Sequence, residues 1–171
     1  MKPFIAASAF LALTALLYLP VGADDSKGVA ILVTPKVIAI SVDQSQLDYG
    51  SPEVGTLGNL PSPTGFNVTN DGTVAVKLQI YGDDTTSTGG SWTLGTAPGT
   101  DTYVQRYAVN ITSPTYPNEF AVLQKSPEDF LASLATSSSV NIKLALDMPT
   151  DTTKLDQHSA PVTIVASEVT P

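Results

Sequence analysis

Residues 66–81 read FNVTNDGTVAVKLQIY, with apolar and polar positions in alternation. Phe66 and Val68 alternate with Asn67 and Thr69; Val74, Val76, Leu78 and Ile80 alternate with Ala75, Lys77, Gln79 and Tyr81. A period of two sends one set to a core and the other toward solvent. Asp71-Gly72 supplies the positive φ of a tight turn, so the stretch predicts a β-hairpin.

The same alternation recurs along the chain. Residues 103–112 place Tyr103, Tyr107, Val109 and Ile111 on one face, and residues 139–147 place Val140, Ile142, Leu144 and Leu146 inward. Shorter strands are expected at 36–42, near Leu47 and Tyr49, at 91–94, at 119–124 and at 160–169. Gly- and Pro-rich turns separate them. Residues 126–135 (SPEDFLASLA) break the pattern. Ser126 suits a cap, Pro127 a first helical position, and Glu128 and Asp129 the positive end of a dipole. Phe130, Leu131 and Leu134 then form the apolar face of one short helix. The fold class expected is all-β: an antiparallel β-sandwich, jelly-roll or Ig-like, of about eight strands with that helix.

The amino-terminal segment has a different pattern. Lys2 precedes an apolar run over residues 4–19, and Val21-Gly22-Ala23 offers small residues before Asp24. This is the layout of a secretory signal peptide over residues 1–23. An uncleaved anchor is the alternative, though the run is short for a span of about 20 residues. Residues 24–35 form an arm or first edge strand, and 36–171 the domain. Residues 28–34 (GVAILVT) are apolar on both parities: Val29, Ile31 and Val33 on one, Ala30 and Leu32 on the other. Pro35 follows and removes a ladder donor. Two readings stay open: a kinked edge strand that changes sheets, or a free arm that needs burial on both faces, as an inserted strand does.

The chain carries 8 basic and 16 acidic residues, a net charge of −8. That balance opposes nucleic acid and anionic membrane as partners, since both want a basic footprint. Cys is absent from the sequence. In a secreted chain, stability then rests on packing and strand pairing.

Candidate chemistry is sparse. His158 is the single histidine, which rules out two-His metalloprotease motifs; its polar surroundings predict a surface position. No thiol nucleophile, G-x-S-x-G or phosphate loop is present. Asp83, Asp84, Asp147, Asp151 and Asp156 are oxygen donors for Ca²⁺, but none stands at calcium-loop spacing, so no cofactor is expected. Asn67-Val-Thr and Asn110-Ile-Thr have the form of N-glycosylation acceptors. Lys77 and Lys143 point outward, against an internal Lys–Asn cross-link. Trp92, the single Trp, shares its parity with Leu94, which favours a core position. Exposed instead, Trp92 with Tyr103 and Tyr107 would form a platform for carbohydrate or a surface partner.

The segment LDYGSPEVGTLGNL…GFNVTNDGTVAVKLQIYG (residues 47–82), followed by SWTLG, SPEDFL and LALDMPT…HSAPVTIVAS, resembles the camelysin/TasA-type biofilm fibre proteins and the archaeal bundling pilins. The resemblance implies a secreted jelly-roll that polymerises by inserting an amino-terminal strand into the next subunit. Val29, Ala30, Ile31, Leu32 and Val33 would be the inserted residues. The expectation is therefore a secreted, non-enzymatic structural protein, extracellular or at the cell surface, whose main partner is itself and which leaves the membrane once the signal is cleaved. A carbohydrate-binding module is the alternative.

Overall fold

The computed structural model describes Val33 and residues 35–169. Nine strands are present among the described residues: β1 (Ile40–Val42), β2 (Gly65–Asn70), β3 (Val76–Gly82), β4 (Thr93–Leu94), β5 (Thr102–Val109), β6 (Ala121–Val122), β7 (Glu128–Leu134), β8 (Ser139–Asp147) and β9 (Val162–Glu168). They form a six-stranded sheet, β1-β2-β8-β5-β4 with β6 also on β5, and a three-stranded sheet, β7-β3-β9. Pairing is antiparallel except for the short parallel contact of β4 with β5.

The expected hairpin is not one. Its two strands alternate as predicted, with Phe66, Val68, Val76, Leu78 and Ile80 all buried. But β2 pairs with β1 and β8, while β3 pairs with β7 and β9. The chain crosses between sheets at residues 71–75, so the inward side chains of β2 and β3 join one core cluster from opposite layers. Among the described residues the glycines at positive φ are Gly50, Gly55, Gly58 and Gly90, not Gly72. Asn70 holds this crossing instead. Its Oδ1 accepts from Gly72 N at 2.9 Å, and its Nδ2 donates to Val74 O and Leu134 O at 2.9 and 3.0 Å.

The expected helix is a correction as well. No helix occurs among the described residues, and 128–134 form the strand β7. Its register on β3 slips: Val76 faces Leu134, Leu78 faces Leu131 and Gln79 faces Asp129. Three residues of β7 thus match two of β3, which is a bulge. The bulge brings Leu131 and Leu134 to the same core, although a regular strand would turn them to opposite faces. Spacing by three is therefore a strand feature here, and it imitates a helical stripe. Asp129 fixes the pair through Gln79 Nε2 at 2.7 Å and Lys77 Nζ at 3.2 Å.

The described residues form three buried apolar clusters. The main one lies between the sheets; a second, at one end, holds Trp92, Leu94, Tyr103, Leu146 and Met148, and Tyr49 packs against both. The third lies on the outer face of the large sheet. Ala108 and Ala145 leave room there for Phe120, Ile111 and Tyr116 from the loop after β5.

Candidate functional site

The two sheets are unequal in width, and the geometry follows from that. β3 is the middle strand of the small sheet, and its Val76, Leu78 and Ile80 are 0% exposed. β9 hydrogen-bonds to β3 along its whole length, from Gly82–Val162 to Val76–Glu168. Its other edge has no strand partner among the described residues. Its inward Val162, Ile164 and Ala166 pack on the core yet stay only half-buried. Outward Val165 is exposed too.

In the large sheet β1 is likewise a terminal strand. The chain entering it carries exposed Val37 and Ile38, and Val42 within it is also exposed. This approach is anchored along the β2–β3 crossing: Thr73 N donates to Val37 O at 2.9 Å, Asp71 N to Ala39 O at 3.0 Å, and Thr73 Oγ1 to Pro35 O at 3.0 Å. Lys36 then pairs with Glu168 at the end of β9. Among the described residues, β1 and β9 are thus terminal strands with apolar side chains along them, as β4 and β7 are terminal at the other ends of the two sheet orders. Unpaired N–H and C=O groups beside half-buried apolar side chains are what an added strand satisfies.

Of the residues singled out for an inserted arm, Val29, Ala30, Ile31 and Leu32 lie outside the described residues, and so does the expected signal peptide over 1–23. Val33 is exposed. The aromatic platform does not form, because Trp92, Tyr103 and Tyr107 are all buried, and in two different clusters. Burial pushes the Tyr103 phenol well above its usual range, with the Asp84 and Asp83 charges adding to the shift; its hydroxyl donates to Asp83 O at 2.6 Å.

His158 is not a free surface group. Its ring stacks on Trp92 with centroids 3.6 Å apart, and its two nitrogens meet Thr85 Oγ1 at 2.9 Å and Lys154 O at 3.1 Å. Trp92 Nε1 donates to Thr152 Oγ1, and Lys154 Nζ to Ser91 O. These contacts strap the loop before β9 over the end cluster, and His158 is a structural part of that strap.

The acidic residues weighed for calcium do not converge. Asp84 pairs with Lys125, Asp147 with Arg106, and Asp156 accepts from Thr88. No group of three metal-binding side chains occurs among the described residues. Asp147 is the center of a closed polar cluster instead. Its Oδ1 accepts from Gly58 N at 2.9 Å and Tyr116 Oη at 2.6 Å, and its Oδ2 from Arg106 Nε at 2.9 Å. Gly58 sits at φ +67°, and a Cβ there would fall 2.8 Å from the Tyr116 ring, so only glycine fits this approach.

Comparison with family models, with curated proteins and with solved structures found no match to this chain. The β9 edge was missed in the sequence reading because 160–169 looked like an ordinary last strand. The residues themselves carry no signal of it, because an edge is defined by backbone pairing and the side-chain pattern reports only the two faces.

Proposed function

We propose that this protein is a secreted structural subunit, a jelly-roll-like β-sandwich that assembles into an extracellular filament or surface matrix by strand addition. The observation that carries this reading is the outer edge of β9, which has no strand partner among the described residues, with its half-buried Val162, Ile164 and Ala166. The occupant is residues 28–34 of a second copy. That segment is seven residues long, as β9 is, and is apolar on both parities, so either face of it can be buried. Main-chain hydrogen bonds would supply strength, and alternate apolar side chains would supply register. The resemblance to biofilm fibre proteins and bundling pilins points the same way.

The test is electron microscopy and size-exclusion chromatography of the chain from Asp24 onward, beside a variant lacking 28–34 and an Ile164→Lys variant. Filaments are expected from the first alone. The two variants should remain folded, as monitored by circular dichroism. A clean monomer at all concentrations, or a deletion variant that polymerises normally, overturns the reading.

A further inference from the structure

The two acceptor motifs, Asn67-Val-Thr69 and Asn110-Ile-Thr112, meet in the fold. Both asparagines line one shallow cleft of about 420 Å³, with Ile111, Thr112, Asn141 and Lys143. It lies on the outer face of the large sheet, where Asn141 on β8 stands directly opposite Asn67 on β2. The two amides are nonetheless in different chemical states.

Asn67 lies mid-strand, and its amide nitrogen is engaged. Nδ2 donates to Asp43 Oδ2 at 2.7 Å, Oδ1 accepts from Asn141 Nδ2 at 2.9 Å, and its backbone N donates to Asp43 Oδ1 at 2.7 Å. Thr69 Oγ1 is bonded to Ser139 Oγ at 2.8 Å. Asn110 stands just past the end of β5, exposed, in the left-handed region at φ 55° that asparagine tolerates. Its Oδ1 accepts from Asn141 N at 3.2 Å, while its Nδ2 makes no hydrogen bond to any described residue. Thr112 is exposed, and its hydroxyl is likewise without a described partner.

We propose that Asn110 carries an N-linked glycan and that Asn67 does not. The donor is a lipid-linked oligosaccharide. The bond from sugar C1 to the lipid phosphate oxygen breaks, its electron pair leaving with the phosphate. C1 bonds to Asn110 Nδ2, and one Nδ2 proton passes to a base of the transferase. A folded acceptor must offer a free amide nitrogen and a reachable Thr hydroxyl on an accessible turn, and Asn110 offers both. At Asn67 the same reaction would require breaking the Asp43 bond and opening β2. The cleft beside Asn110 gives the first sugar room, with Ile111 for an apolar ring face and Asn141 and Lys143 for its hydroxyls. This inference rests on the export proposed above and not on polymerisation.

The experiment is intact-mass and glycopeptide mass spectrometry of the full chain recovered from the medium or cell surface of its own cells. A glycan mass on the Asn110 peptide and none on the Asn67 peptide is expected. Asn110→Gln and Thr112→Ala should each remove the whole added mass, Thr112→Ser should keep it, and Asn67→Gln should leave it unchanged. An exported chain with bare Asn110, or with the glycan on Asn67, overturns the inference and leaves export standing. A chain found only inside the cell overturns both.

Discussion

Arg106 and Asp147 form an ion pair on the outer face of the large sheet, Nε to Oδ2 at 2.9 Å, with the Asp147 side chain 1% exposed. Arg106 also lies 5.6 Å from the center of the Tyr116 ring, so the pair is roofed by the loop after β5. Breaking one partner of such a pair leaves a buried charge without compensation. Arg106→Ala is expected to cost about 3–5 kcal/mol of stability, read from denaturant midpoints. Replacing both partners by apolar residues should cost less than Arg106→Ala alone. A double variant as weak as the single one would show that packing, not charge pairing, holds this loop.

Asn70 ties two crossings between the sheets together. Besides its side-chain bonds, its backbone N donates to Ser138 O at 3.0 Å and its O accepts from Ser137 N at 2.8 Å, both in the β7–β8 connection. Asn70→Ala would leave the carbonyls of Val74 and Leu134 and the N–H of Gly72 without these partners. A loss of about 1–3 kcal/mol per buried group left unsatisfied is expected, measured by chemical denaturation. Hydrogen exchange should accelerate at Gly72 and in the 135–138 turn. Unchanged exchange there would mean the crossings are held by the core alone.

Trp92 reports on the end cluster. It is 8% exposed and stacked on His158, so its emission should be blue-shifted and poorly quenched by acrylamide. His158→Ala removes the stack and the Thr85 and Lys154 contacts. The expected result is a red shift, stronger quenching and a loss of about 1 kcal/mol or more. Emission unchanged by that substitution would mean that the strap does not depend on the imidazole.

Several carboxylates titrate lower in the fold than in a free chain. Asp43 is lowered by bonds from the Asn67 backbone and side chain, Asp84 by Lys125 and Leu94 N, Asp101 by Thr152 and Lys154, and Asp129 by Gln79 and Lys77. With the folded value below the unfolded one, the unfolded chain binds more protons between the two. The stability from these groups is thus complete above the unfolded value of about 4, and it is lost as pH falls through the lower folded values. A pH series of denaturant midpoints should show this acid limb below about pH 4. Asp84→Asn and Asp101→Asn should each make it shallower, and limbs of wild-type steepness in both would remove these groups as its cause.

Much of the core was readable because alternation encodes which way a side chain faces. Val68, Leu78, Ile80, Val140 and Ile142 were placed inward from pattern alone, and all are buried. Pattern was silent on partners. A hairpin and a crossing between two layers demand the same alternation, since both turn the same side chains to one interior. Asp71-Gly72 suited the wrong choice. Residues 126–135 failed for a related reason: the bulge that fits β7 to β3 spaces its apolar residues by three, as a helix would. The candidate site was half legible. The apolar arm over 28–34 stood out in the sequence, while the edge that would receive it did not.

The sequence by itself determined that this chain is β-rich, that its core is apolar and free of cysteine, and which face of most strands is buried. Those properties depend on single residues and their near neighbors. Only the tertiary structure decided which strands share a sheet, that β9 and β1 each keep an edge without a strand partner among the described residues, and that the Asn67 amide nitrogen is bonded to Asp43 where that of Asn110 meets no described partner. Strand pairing is made by backbone groups that every residue carries alike. Its choice of partner rests on contacts between distant segments, which no local pattern records.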